Sequence, residues 1–518
     1  YNDANVMDRT GVAGVAKDKG TVDHIVLDDL YVHDVDGNVI NKHMANGGIY
    51  FIVEKPTDEN ATGASKFNDL TIENCSVVTT NRWGIAAAYT YAWAQLNSAH
   101  LNEAALEKYA SSNVTIQNNY IKAAGGDAIT TMYVDQPLVQ YNVAEDCSRQ
   151  MNPTDYPSGW QRVAAGIWPW KCKDSVFQYN ECYNNQYAYH GNGDGQAWDA
   201  DWTDGTLYQY NYSHGNSRGA IMFCGAEAVN TTFRYNISEN ELTGPLDLPG
   251  NPDAHIYNNT FYMNENIKSI FDRTGGNAVL ENNIFYYGGS TPLNQNWYPG
   301  GTLTYDNNLY YNFANTPSGD QNAVVVNAGT KVLEDAGSGP SSNTSGIAYI
   351  KENASVFDGY KLAEDSPAIN AGKVITDNNG YDPEHDFFGH ALTDIPEIGA
   401  AESDYVTVTA TSNVYNVAND QISGLAKHTT VKELLKNLNI DSSTQVTVKS
   451  GDKVLAENDI VNGGCTVTIS YGEKSKTYTI VASSDCELKS TVYMMTGTTI
   501  KIPSTEKNPA TVSEVKQN

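Results

Sequence analysis

Leu207-Tyr208-Gln209-Tyr210-Asn211-Tyr212 is followed by Thr232-Phe233-Arg234-Tyr235-Asn236-Ile237, and the same phrase recurs along the chain: apolar, polar, aromatic or Asn, then Asn, then apolar. It returns at Thr115, Leu138, Val176, His255, Val279 and Leu303. With the second Asn as marker, the series is Asn119, Asn142, Asn180, Asn211, Asn236, Asn259, Asn283 and Asn308, at intervals of 23, 38, 31, 25, 23, 24 and 25 residues. Period-2 strands repeating about every 24 residues are what a parallel β-helix needs, because each coil buries its inward side chains only against its neighbours. The marker Asn should stack at one corner, each amide bonding the next.

Working outward, earlier phrases stand at Leu70-Thr-Ile-Glu-Asn-Cys and Ile25-Val-Leu-Asp-Asp-Leu, and one long interval holds Ala94–Ala110 with helical spacing, an expected insertion. Beyond residue 402 the pattern becomes strand, helix (Thr430-Val-Lys-Glu-Leu-Leu-Lys-Asn-Leu) and strands. The expected architecture is all-β: a right-handed parallel β-helix (solenoid) over 1–402, a small α+β module, β-grasp or immunoglobulin-like, over 403–487, and a tail or linker over 488–518.

The 518 residues carry a formal charge of −29. Such a surface repels nucleic acid, anionic membranes and polyanionic polysaccharides, so neutral partners fit best. Seven cysteines show no paired metal spacing and read as filler or one stray bridge. No run of 18 apolar residues offers a membrane span, and a start at Tyr1 without Met suggests that the natural beginning is missing.

A second strand can be aligned across coils: Gly48-Ile-Tyr-Phe-Ile, Gly84-Ile-Ala-Ala-Ala, Ala128-Ile-Thr-Thr-Met, Gly166-Ile-Trp-Pro-Trp, Ala197-Trp-Asp-Ala-Asp and Ala220-Ile-Met-Phe-Cys. If Ile49, Ile85, Ile129, Ile167, Trp198 and Ile221 point inward, then Thr130, Trp168, Asp199 and Met222 point outward, followed by Met132, Trp170, Asp201 and Cys224. Carboxylates beside exposed tryptophans suit a sugar ring and its glycosidic bond. The two enlarged intervals flank this face and should supply cleft walls. Residues 186–205 hold four Asp (194, 199, 201 and 204) and no Lys or Arg, which supplies carboxyls for an acid and a nucleophile but no base for a lyase.

Bland readings compete. Asp199-Ala-Asp-Trp-Thr-Asp-Gly resembles a calcium loop one residue out of EF-hand step, so structural Ca2+ is an alternative, although no cofactor is required. The tryptophans could be packing under a loop. Gly215-Asn-Ser-Arg-Gly matches the serine-hydrolase elbow but should lie at a β corner rather than between strand and helix.

His190-Gly-Asn-Gly-Asp-Gly-Gln-Ala-Trp-Asp-Ala-Asp-Trp202, inside an Asn-laddered β-helix, resembles the β-helix lacto-N-biosidases of glycoside hydrolase family 136 over roughly residues 20 to 402. The resemblance implies release of lacto-N-biose (Gal-β1,3-GlcNAc) from the non-reducing end of milk-type oligosaccharides such as lacto-N-tetraose, with retained anomeric configuration. It implies two aspartates seven residues apart, Asp194 as acid/base and Asp201 as nucleophile, with Asp199 and His190 supporting. Trp168, Trp170, Trp198, Trp202, Asn192 and Gln196 are then the candidates for sugar contact. Seven residues of straight strand span about 23 Å, so Gly193-Asp-Gly195 must turn sharply to bring the pair together. Substrate-assisted catalysis through a 2-acetamido group stays open. The resemblance further implies an extracellular or cell-surface protein of a Gram-positive bacterium and, as in some relatives, a dedicated folding chaperone chain. A polysaccharide lyase, a non-catalytic glycan-binding adhesin and an inverting glycosidase are the rivals.

Overall fold

The computed structural model describes residues 8–37, 46–97, 102–150, 163–186, 194–340, 354–376, 383–393, 395–403, 405–472 and 474–481. Two compact units divide the chain, Tyr1–Ser403 and Asp404–Asn518. The first is nearly all-β with few helices. Three parallel sheets run through it, of eight, eleven and eleven strands among the described residues, and successive strands are dealt to the sheets in rotation, in the manner of a β-helix. One circuit serves as the pattern: Ile129–Met132 in the first sheet, Leu138–Gln140 in the second, Val143–Glu145 in the third, then Ile167–Trp170 back beside Ile129–Met132.

The repeated phrase is the corner between the second and third sheets. The residue before each marker Asn takes a left-handed backbone: Asn118, Tyr141, Tyr179, Tyr210, Tyr235, Asn258, Asn282 and Asn307 lie at φ between 48° and 56°. Asn tolerates that conformation, whereas Tyr does so at a cost. The tyrosines offset it by stacking rung on rung, Tyr141 on Tyr179 at 4.8 Å and Tyr179 on Tyr210 at 5.1 Å. The marker Asn then turns inward and is buried. Asn142 Nδ2 donates to Asn180 Oδ1 (3.0 Å), Asn180 to Asn211 (3.1 Å), Asn211 to Asn236 (3.0 Å) and Asn236 to Asn259 (3.1 Å). Each Oδ1 also accepts the backbone N–H of the preceding Asn, as Asn211 does from Asn180 at 2.9 Å. The expected ladder is present.

Inside the sheets one apolar core runs from Ala16 to Phe313. Burying such a column stabilises the unit by roughly 25 cal/mol per Å² of apolar surface removed from water. The stretch from Asp365 to Glu402 packs its Ile398 and Ala400 with Tyr212, Ile237, Ile284 and Leu309 of the third sheet, and Asn258 Nδ2 donates to the carbonyls of Glu397 and Gly399.

The second unit carries a mixed sheet whose longest strands are Gln445–Ser450, Thr466–Tyr471 and Lys474–Ile480. Helix Val431–Lys436 opens with a reciprocal Thr430/Glu433 cap. Its Val431 and Leu434 are buried in one cluster with Ile422, Val467 and Ile469 of the sheet. The first strand expected beyond residue 402 is short, Ala410–Thr411. Residues 482–518, Cys486 among them, lie outside the described residues. The other six cysteines are free, five of them buried. No helix among the described residues is long and apolar enough to cross a membrane.

Candidate active site

The first sheet sets the site. Ile49, Ile85, Ile129, Ile167, Trp198 and Ile221 stand in register on successive strands and enter the core. The alternate residues therefore face out: Asp199 beside Met222, Trp170 beside Asp201, and Asp201 beside Cys224. Gly195 turns at φ 133°, which glycine alone adopts readily, and carries Asp194 toward this face.

There the acids meet. One carboxylate oxygen each of Asp199 and Asp201 and the Cys224 Sγ lie within 4.8 Å of one another. Burial first, then Asp201, Asp199 and Asp194 in that order, push the Cys224 thiol well above its usual range, so all three carboxylates act on one sulfur. Asp199 is buried and Asp194 and Asp201 half-buried. Low water access strengthens every such charge interaction.

Two cations that local reading missed arrive from other circuits. Arg273 Nε donates to both carboxylate oxygens of buried Asp247 at 2.9 Å, and its Nη2 lies 3.7 Å from Asp194 Oδ1. Asp247 pairs with Met222 on the next strand, so one further circuit of the strand alignment would have reached it. Burial pushes its carboxyl up and Arg273 draws it down. Lys171, at the corner following Trp170, is 4% exposed, with Nζ 3.8 Å above the Trp202 ring and 5.6 Å from that of Trp170. The absence of Lys and Arg from residues 186–205 thus understates the positive charge here, and that argument against a lyase is corrected.

The tryptophan-lined open wall also needs correction. Trp168 is 1% exposed, because the insertion before Ser111 brings Leu96 and Leu106 over it in a second apolar layer with Met132 and Tyr133. Its Nε1 donates to Asp127 (3.0 Å), itself ion-paired to fully buried Arg82 (2.9 Å). Trp198 is 0% exposed, inside the core beside Tyr208. Neither offers a face to a sugar. Gln196 is likewise buried, donating to Asp247. Trp170 and Trp202 stay half-buried at the site. His190, Asn192 and a part of each enlarged interval, residues 151–162 and 187–193, lie outside the described residues.

Residues 199–205 hold the end of strand Trp198–Asp201 and the corner after it. Asp204 sits in a bridge with Lys173 and Val229, and its carboxylate accepts from Asn230 (2.7 Å). Two carboxylates and a thiol are also unlike the six to eight oxygens calcium takes. Gly215–Gly219 follows strand Tyr212–His214 and leads into strand Ile221–Cys224, so no nucleophile elbow forms. What remains is a set of carboxyls in unlike surroundings, one near a neutralised guanidinium and one near a buried ammonium, as acid and nucleophile roles require.

No family model matches the chain. It is 46% identical, across 88% of its length, to lacto-N-biosidase of Bifidobacterium longum subsp. longum, and spans only about a third of that curated relative, 31%. Two crystal structures of glycoside hydrolase family 136 lacto-N-biosidase from Eubacterium ramulus, a selenomethionine derivative and the native protein, match with TM-score 0.52 at 45% and 44% identity, over 54% of this chain and 45% of that one. The resemblance read from His190–Trp202 is borne out.

Proposed function

We propose, from its kinship with the family 136 lacto-N-biosidases, that this chain is the catalytic part of a glycoside hydrolase that releases lacto-N-biose from lacto-N-tetraose and similar oligosaccharides. The observation that carries the reading is the convergence of Asp194, Asp199 and Asp201 on one outward patch beside Trp170 and Trp202. In this reading Asp194 protonates the leaving oxygen, Asp201 attacks the anomeric carbon, and Asp194 then deprotonates the water that releases the sugar with retained configuration. Trp170 and Trp202 supply ring faces for the sugar.

The reaction as drawn needs no cofactor. The acidic chain favours a neutral glycan over a uronate polymer, which keeps the lyase behind this reading even with Lys171 present. We read the first unit as a right-handed solenoid, the hand that twisted parallel strands prefer, and the second as β-grasp-like, because a helix packs on its mixed sheet. A secreted location and a folding chaperone chain belong to the same proposal.

The test is incubation with lacto-N-tetraose, with the product anomer followed by NMR. Wild type should release the disaccharide as its β-anomer, and Asp201→Asn and Asp194→Asn should each lose at least about 10³-fold in kcat/KM. A fully folded D201N that retains wild-type turnover would sink the assignment.

A further inference from the structure

We propose that Lys171 is a positioning residue for Asp201: its ammonium, clamped between Trp170 and Trp202, supplies the positive field that keeps the Asp201 carboxyl ionised as nucleophile. This rests on the hydrolase reading above and adds to it.

The placement follows from the backbone. Trp170 and Asp201 are direct partners on adjacent strands, and Lys171 N donates to Asp201 O at 3.1 Å. Lys171 and Trp202 come next on their strands and both turn left-handed, at φ 53° and 55°. One corner therefore stacks above the other, and the lysine stem leads the ammonium over the indole. Gly225 makes room on the next circuit, since a Cβ there would meet Trp202 Nε1 at 2.8 Å. A lysine 4% exposed is costly to keep charged, and the indole face offsets part of that cost. Burial pulls the Lys171 ammonium below its usual range, and Asp201, ahead of Glu227, is the foremost charge drawing it back up.

The remaining charged and titratable groups around Asp201 mostly oppose its ionisation. Asp199 precedes it on its own strand, Asp194 comes from the preceding turn, Cys224 from the adjacent strand and Tyr133 from beyond Ile129–Met132. Arg273 lies by Asp194 but is already neutralised by Asp247. Lys171 is a cation whose charge falls on Asp201.

The test compares pH profiles of kcat/KM on lacto-N-tetraose for wild type, Lys171→Met and Lys171→Arg. An opposite charge within about 4–6 Å lowers a carboxyl pKa by about one unit or more. Losing it should move the acidic limb of K171M up by about one pH unit, with kcat falling more than KM changes, while K171R keeps the wild-type limb. Lys171→Gln gives the same comparison if K171M does not fold. A limb that stays put in a folded, neutral variant overturns the proposal. If wild type releases no disaccharide at all, the hydrolase reading fails instead.

Discussion

Replacing Asn211 by Ala tests the ladder at its middle. The side chain is fully buried and makes four hydrogen bonds: Nδ2 donates to Phe177 O (2.9 Å) and Asn236 Oδ1 (3.0 Å), and Oδ1 accepts from Asn180 N (2.9 Å) and Asn180 Nδ2 (3.1 Å). Two neighbours keep other partners, since Asn180 Nδ2 also donates to Val139 O and Asn236 Oδ1 still accepts from Asn211 N. The Asn180 N–H and the Phe177 carbonyl lose the partner the side chain gave them. At about 1–3 kcal/mol for each buried group stranded, N211A should lose about 2–6 kcal/mol. The control is Gln178→Ala in the parallel glutamine row, where Gln178 donates to Gln140 (2.9 Å) and accepts from Gln209 (2.8 Å) but is half-buried, so water replaces the lost bonds. Its expected cost is about 0.5–1 kcal/mol. Guanidinium titration followed by tryptophan fluorescence measures both. Equal losses, or less than about 1 kcal/mol for N211A, would refute the reasoning.

Other consequences are equally open to measurement. Arg273→Met strands the buried Asp247 carboxylate, and with Gln196 still donating to it the loss in denaturant stability should be about 3 kcal/mol, recovered largely by adding Asp247→Asn. Glu397 is held well above the carboxylate range by burial and by the adjoining Glu402 carboxyl, while the unfolded chain releases that proton near pH ~4.3. The folded state then binds the extra proton, so this group's contribution to stability falls as pH rises beyond that value. Glu397→Gln should accordingly raise Tm relative to wild type at pH 7–8, with the gap closing near pH 4; a gap independent of pH would reject the assignment.

The asparagine intervals foretell the corner because stacking requires one polar residue at one place in every circuit, and the signal is local. The inward row from Ile49 to Ile221 is legible for the same reason, since strand alternation permits only one face for it. Legibility fails where distant chain decides burial. Nothing near Trp168 announces that Leu96 and Leu106 cover it, and nothing in residues 186–205 announces Lys171 or Arg273, which reach the acids from neighbouring circuits. Trp198 illustrates a conflict within the pattern itself: its register places it inside, and register prevails over the habit of assigning a tryptophan near acids to sugar binding.

The asparagine column has an electrical direction. In every Asn–Asn bond of the column Nδ2 donates toward the higher-numbered rung, so the column's first acceptor is Asn119 Oδ1, where the Cys75 N–H meets it at 2.9 Å. Its last donor lies at Asn308, whose Nδ2 points at the Asp320 carboxylate at 3.0 Å. The row of aligned dipoles thus ends on an anion at its positive pole, the complementarity that an acidic residue enjoys at the start of an α-helix. The Asn308 N–H (3.2 Å) and the Tyr310 hydroxyl (2.7 Å) donate to the same oxygen. With no long helix among the described residues, the protein has assembled from side chains what helices build from their backbone, together with the charge that terminates it.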